Sequence, residues 1–160
     1  MTVAGIRIRT ATPDDLDAMS SIINAAFSIE GFLDGTRTDD ARLTKMMETS
    51  IFLVAENDSG RIVASVYTEI RGTRGYLGVL AVDPACQGAG LGRKMVDAAE
   101  QHCRERGCLA MDLTVLSLRP NLPPLYRKLG YVETGTEEFV TSRQLKDGAE
   151  CHCILMSKAL

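Results

Sequence analysis

The order of hydrophobic and polar positions predicts strands and helices along the whole chain. Residues 6–10 alternate apolar and polar side chains, which is typical of a half-buried strand. Leu16, Met19, Ile23 and Phe27 then recur at helical spacing and predict a helix with one buried stripe. Apolar runs predict further strands at residues 51–56, 61–70, 76–82, 109–116, from 131 onward, and 151–160.

Start and stop signals support four helices. Thr12 can cap the first helix, and Pro13 suits its first turn. Thr38 is predicted to cap the second helix. A third helix follows a glycine-rich segment and ends near Arg106, and a short fourth helix covers residues 122–129.

The order of these elements indicates the fold class. Residues 28–37 contain two glycines and predict a loop between the first two helices, and the GTRG run at 72–75 predicts a turn. The resulting order is β-α-α-β-β-β-α-β-α-β-β. We therefore expect one α/β sandwich domain over residues 1–160, with a mixed, mostly antiparallel sheet and helices on both faces.

Composition narrows the classes of partner. The 160 residues are 45% apolar and 24% charged, as in soluble globular proteins. A net charge of −3 without a basic stripe argues against a nucleic-acid partner. No apolar run is long enough to span a membrane, and the N-terminus lacks a secretory pattern. The five cysteines and two histidines show no ligand spacing, so we expect a cytoplasmic protein with reduced thiols and no metal.

Candidate chemistry concentrates in VDPACQGAGLGRKM, residues 82–95. Glycines at 88, 90 and 92 lead from a buried strand directly into a helix. Glycine lets the backbone approach a ligand closely and adopt positive φ, and a helix N-terminus favours anions. Arg93 and Lys94 place positive charge in the first turn, where it is unfavourable unless an anion is bound. The segment therefore indicates a phosphate or pyrophosphate site.

The same glycines must also be compared with a purely structural turn and with two well-known nucleotide motifs. A glycine-rich turn that packs a helix against a strand needs no ligand. A dinucleotide site needs a third glycine where this chain has Arg93, and the acidic Asp112 lies inside a predicted strand rather than at its end. The Gly-Lys-Ser/Thr of a Walker A loop is absent from the sequence.

Two motifs resemble those of one enzyme superfamily. The pattern V-x-P-x-x-Q-G-x-G-L-G, followed by an amphipathic helix, resembles the acetyl-CoA-binding motif of the GNAT acyltransferases. PPLYRKLGYVETG, residues 123–135, resembles the second marker of that family. The resemblance covers nearly the whole chain. It implies that strands 76–82 and 109–116 are parallel neighbours that splay apart and hold acetyl-CoA, the cosubstrate.

The resemblance also implies where the coenzyme binds. The pantetheine arm would pair with main chain near Leu80 and Val82, and the pyrophosphate would bind amides of residues 87–92. A bulge near Gly78 or Leu80 would leave amides unpaired for the arm and the thioester carbonyl. The implied coenzyme-binding residues are Leu80, Ala81, Val82, Gln87, Gly88, Ala89, Gly90, Leu91, Gly92, Arg93 and Asn121.

Tyr126 matches the family tyrosine that protonates the departing thiolate, which is costly in a dry cleft unless it gains a proton. Alternatively, its ring only packs in the core at helical spacing with Leu122 and Leu129. The chain departs from the family pattern at Arg119, where many members have an asparagine. Asn121 either substitutes for that asparagine or caps the short helix.

The resemblance implies direct attack by an amine, small or peptidic, on the thioester. The amine must lose a proton, and some members use a glutamate where this chain has Tyr76. Tyr76, Glu69, Asp112 and a water chain all remain candidates for the base.

The loop at 28–37 is the candidate acceptor site. Glu30 and Asp34 could hold an ammonium and Arg37 a carboxylate, with Tyr76 as a further contact, although a merely solvated loop is the alternative. Three possibilities stay open beside the enzyme hypothesis: a non-catalytic acetyl-CoA-binding module, a different acyl chain, and a homodimer through the last strands.

Overall fold

A computed structural model describes residues 5–31, 37–140, 145–146 and 148–160, and a mixed sheet forms its centre. Within these ranges seven strands lie in the order β1-β2-β3-β4-β5-β7-β6. Every neighbouring pair is antiparallel except β4 with β5, which confirms the expected sheet. The strands are β1 Arg7–Thr10, β2 Ile51–Glu56, β3 Ile62–Arg71, β4 Arg74–Val82, β5 Ala110–Leu116, β6 Val132–Glu138 and β7 His152–Ala159.

Helices cover both faces of the sheet, as predicted. Strand β2 shows why, because its side chains alternate between two cores. Phe52 and Val54 pack with helices α1 and α2, whereas Leu53 and Ala55 join the cluster that contains α3 and Tyr126. The helices are α1 Leu16–Ala26, α2 Asp40–Met47, α3 Leu91–Glu105 and α4 Leu122–Lys128, with 3-10 turns at Pro13–Asp15, Phe27–Ile29 and Pro84–Cys86.

The start of α2 corrects the sequence prediction. Thr38 was expected to cap this helix, but the N-cap is Asp39, whose carboxylate accepts a hydrogen bond from the Arg42 N–H at 2.8 Å. Thr38 is instead buried and tied to α1. Its N–H donates to the Asn24 side-chain oxygen at 2.9 Å, and its carbonyl accepts from the Asn24 amide nitrogen at 3.0 Å. A tertiary contact thus moves the helix start by one residue.

The turn before β4 is also shorter than predicted. Strand β3 continues to Arg71 and β4 begins at Arg74, so only residues 72 and 73 turn the chain. Gly75 lies inside β4, where a Cβ atom would come within 2.5 Å of the Cys103 sulfur on α3. This glycine therefore serves close helix–sheet packing rather than the turn.

Strands β4 and β5 separate partway along their length. They pair only at Arg74, Gly75 and Tyr76 of β4, although β4 continues to Val82. On its other side β4 carries a bulge. The register with β3 shifts between the pairs Tyr67–Gly78 and Ser65–Ala81, so that β4 has one extra residue there. Val79, inside this bulge, has a φ of +49°. The expected splay and bulge are both present.

Candidate active site

A cleft of about 680 Å³ opens where β4 and β5 diverge. One wall is the second half of β4, and the other is formed by β5 and α4. The glycine loop before α3 borders one end, and Phe27, Glu30 and Arg37 border another part. Sequence-predicted residues that line this cleft are Glu30, Arg37, Tyr76, Leu80, Val82, Gln87, Gly88, Gly90, Leu91, Gly92 and Tyr126.

The glycine loop is shaped by its backbone. Gly88 and Gly90 have φ values of +86° and +79°, which side-chain-bearing residues adopt only with strain. Gly90 is the N-cap of α3, so the first amides of the helix have no partner within it. A Cβ atom on either glycine would meet nothing within 4 Å. The loop thus offers open space at the positive end of a helix.

Three of the coenzyme-binding residues predicted on β4 and around the glycine loop do not line the cleft. The Ala81 side chain is buried in the α1–α2 core. Arg93 is exposed in the first turn of α3, and Ala89 lies outside the lining. The expected main-chain pairing was placed near Leu80 and Val82, which both line the cleft.

Tyr126 projects from α4 into both the core and the cleft. It is 7% exposed, and its ring meets that of Tyr131 edge-on at 5.9 Å between centroids. Burial raises the pKa of Tyr126 to about 12. Among the described residues, none hydrogen-bonds to its hydroxyl, whereas the Tyr131 hydroxyl donates to Glu100 at 2.8 Å. Core packing and access to the cleft are therefore compatible for Tyr126.

Two of the candidate bases are carboxylates held by arginines. Glu69 accepts from Arg71 at 2.9 Å, and this hydrogen bond lowers its pKa. Asp112 accepts from Arg74 at 2.6 and 2.7 Å, which likewise lowers its pKa. A lower pKa makes each carboxylate a weaker proton acceptor.

Tyr76 is a poor base for the opposite reason. Burial raises the pKa of its phenol, so the neutral form is favoured. The guanidinium of Arg71 lies over its ring at 4.2 Å from the centroid. Of the four candidates, only a water chain is not weakened by these contacts.

The part of the cleft bordered by Phe27, Glu30 and Arg37 contains an ion pair that the sequence did not reveal. Glu30 is buried, and its carboxylate lies 3.1 Å from Arg119, so an arginine already occupies this expected ammonium ligand. The guanidinium carbons of Arg37 and Arg119 lie 5.1 and 5.9 Å from the Phe27 ring centroid. Asp34, the other expected ligand, lies outside the described residues.

Arg119, and not Asn121, lines the cleft, and neither role expected of the Asn121 side chain is seen. Arg119, at the family asparagine position, lines the cleft. Asn121 is the N-cap residue of α4 by position, but its side chain makes no capping hydrogen bond. It is exposed and does not line the cleft.

A second cavity of about 420 Å³ adjoins the cleft. Both cavities are lined by Tyr76, Leu113, Thr114 and Glu137. Glu137 belongs to β6, whose residues are all exposed. The sequence of such an exposed strand carries no signal that one of its residues lines a site.

In the ranges that the structure covers, no group of three His, Cys, Asp or Glu side chains could hold a metal ion. None of the described helices is long and apolar enough to cross a membrane.

Comparison with known proteins agrees with this geometry. The sequence matches the family described as Acetyltransferase (GNAT) domain over residues 23–143. It is 30% identical over 140 residues to mycothiol acetyltransferase of Propionibacterium freudenreichii subsp. shermanii, covering 83% of this chain and 45% of the relative. The chain thus spans less than half the length of that relative.

Solved structures share the fold. Ribosomal-protein-alanine N-acetyltransferase from Brucella melitensis is 25% identical with a TM-score of 0.76, covering 96% of this chain and 99% of the other. Ard1 from Thermoplasma volcanium is 22% identical with a TM-score of 0.79, covering 98% and 99%. By its sequence match and its splayed cleft, this chain belongs to the GNAT acetyltransferase family.

Proposed function

We propose that the chain is an N-acetyltransferase that moves the acetyl group of acetyl-CoA to a primary amine by direct attack. The observation that carries the proposal is the meeting of three features in one cleft. They are the part of β4 that no longer pairs with β5, the N-terminus of α3 with its positive-φ glycines, and the buried Tyr126. The acetyltransferase names of its relatives agree with this assignment.

Each feature has a part in binding acetyl-CoA. The loop from Gln87 to Gly92 would hold the pyrophosphate, because its amides and the helix dipole favour an anion. The freed edge of β4 near Leu80 and Val82 would pair with the amides of the pantetheine arm, as another strand would. An amide at the bulge would polarise the thioester carbonyl.

The chemistry then needs two proton transfers. The amine nitrogen attacks the thioester carbonyl carbon, the carbon–sulfur bond breaks, and the sulfur leaves as a thiolate. Tyr126 would give its proton to that thiolate, because its raised pKa keeps the hydroxyl protonated until then. The proton lost by the amine would leave through water, since lowered pKa values make Glu69 and Asp112 weaker bases and a raised pKa keeps Tyr76 protonated.

The connection between α1 and α2 is proposed to form part of the acceptor site. Arg37 lines the cleft there, and with Asp34 and Tyr76 it is proposed to contact the acceptor. The names of the relatives differ, with mycothiol in one and a ribosomal-protein alanine in the other. The class proposed for this chain is therefore a primary amine.

A turnover screen tests the function. Release of the CoA thiol would be followed with acetyl-CoA and, in turn, spermidine, glucosamine, amino acids and a peptide with a free N-terminus. The proposal predicts amine-dependent release that saturates with at least one acceptor. Binding of acetyl-CoA without release in any of these assays would instead favour a non-catalytic acetyl-CoA-binding module.

A further inference from the structure

The two cavities share lining residues from β4, β5 and the edge strand β6, and several side chains at this junction face a common space. Thr114 pairs with Leu155 across β5 and β7, and Cys153 of β7 pairs with Glu137 of β6. Because side chains alternate along strands, Thr114, Leu155, Cys153 and Glu137 point to one sheet face. An acceptor that lies in the smaller cavity would therefore reach the cleft by passing Glu137.

Other carboxylates around this junction are already neutralised. Glu69, Asp112 and Glu30 have a guanidinium nitrogen at 2.9, 2.6 and 3.1 Å, respectively. An ion that approached any of them would have to displace an arginine, which leaves that guanidinium without its partner.

Glu137 differs from these three carboxylates. In the described part of the chain no arginine or lysine forms an ion pair with it, and it is exposed to solvent. Its charge is felt at the junction, since it is the next cause after burial that raises the pKa of the Cys153 thiol. Its neighbour Glu138 lines only the larger cavity.

We propose that Glu137 binds the ammonium group of the acceptor at the junction of the two cavities; this inference rests on the proposed function. An ammonium loses hydration as it enters the cleft, and a carboxylate at the entrance offsets that cost. The remainder of the acceptor then occupies the smaller cavity. There Arg71 and Arg74, each paired with a carboxylate, and the hydroxyls of Ser157 and Thr134 provide donors and acceptors. This favours an amine with an uncharged, hydroxyl- or amide-bearing body.

The test compares Glu137→Gln with wild type, and Glu133→Gln is the matched control. Glu133 lies on the same strand outside both cavities and pairs with Arg127. With glucosamine and spermidine as acceptors, Glu137→Gln should raise the acceptor KM by about two- to fivefold, as loss of a solvent-exposed charge pair does. The acetyl-CoA dissociation constant should be unchanged. Added salt should raise the acceptor KM of wild type more than that of the variant.

Calorimetric titration of glucosamine and spermidine into the CoA-loaded protein separates this inference from the proposed function. Glu137-dependent binding without turnover would contradict the acetyltransferase proposal but support the ammonium site. Turnover or binding that is equal in wild type and Glu137→Gln would overturn the site, and so would the absence of Glu137-dependent binding to both probes.

Discussion

At the scale of single residues, the neighbouring Tyr126 and Tyr131 differ in the hydrogen bonds that their hydroxyls make. Their rings pack edge to face, but the Tyr131 hydroxyl is committed to the buried Glu100, which also accepts from Lys158 at 3.0 Å. The Tyr126 hydroxyl has no such bond to a described residue, and Tyr126 lines the cleft. The packing fixes the ring, and the hydroxyl stays available for proton transfer.

Replacing Tyr126 with phenylalanine should lower kcat by about a hundredfold, because the thiolate then leaves without a general acid. Acetyl-CoA affinity should hardly change, since only a hydroxyl needed late in the reaction is lost. The pKa of about 12 means that the wild-type hydroxyl keeps its proton up to about pH 10. Deprotonation of Tyr126 should therefore not lower the kcat of the wild-type protein below that pH. Equal kcat in the two proteins, with chemistry rate-limiting, would return Tyr126 to a packing role.

Gly90→Val should abolish the rise in melting temperature that acetyl-CoA produces. The substitution strains a backbone at φ +79° and places a branched side chain in open space beside the proposed pyrophosphate site. Gly107→Val is the matched control, because Gly107 has a φ of +85° and equally open surroundings at the far end of α3. Both variants should lose stability, but only Gly107→Val should keep the ligand-induced shift. A full shift in folded Gly90→Val would contradict the phosphate-loop assignment.

At the scale of elements, local pattern predicted where strands and helices lie, and tertiary contacts decided their ends. The apolar stripe of α1 is legible because Met19 and Ile23 are buried against one face of the sheet. The start of α2 moved from Thr38 because of a contact with Asn24, which no local signal announces. Gly75 was predicted to lie in a turn because, in sequence, a glycine needed for close packing cannot be distinguished from a glycine needed for a turn.

The start of α1 depends on Asp15, whose buried carboxylate accepts from Arg9 at 2.8 and 2.9 Å and from the Thr12 N–H at 2.8 Å. The Arg9 hydrogen bond holds the pKa of Asp15 below its ordinary value. Asp15→Asn should therefore lower the free energy of unfolding by about 2 kcal/mol at neutral pH. A folded-state pKa that is depressed stabilises the protein above the unfolded pKa of about 4, and this contribution is lost as pH falls further.

Urea unfolding at a series of pH values measures this effect. The difference between wild type and Asp15→Asn should shrink as the pH falls below about 4. The exposed Asp14 on the same turn provides a control, and Asp14→Asn should change stability by less than about 0.5 kcal/mol. A difference for Asp15→Asn that stays constant with pH would show that charge at Asp15 is not its source.

At the scale of the whole molecule, the glycine-loop side of the cleft was predictable from the sequence, and the side that contains Glu30, Arg119 and Glu137 was not. The glycine-loop side is encoded locally, since the strand, glycines and helix of residues 76–105 follow one another in sequence. The other side joins distant segments. Glu30 and Arg119 are 89 residues apart, and Glu137 reaches the cleft only through the pairing of β6 with β7 and β5. Such long-range pairings have no local signature.

Mass spectrometry of the reaction with isotopically labelled acetyl-CoA tests the central claim most directly. After incubation with an amine from the turnover screen, we expect one labelled acetyl group on the amine nitrogen for each CoA thiol released. No labelled acetyl group should be found on the protein at any time. Tyr126→Phe should slow both products equally. Acetyl-CoA that binds but yields no labelled amine with any acceptor would contradict the proposed acetyl transfer, and label that passes through a cysteine of the protein would contradict direct attack.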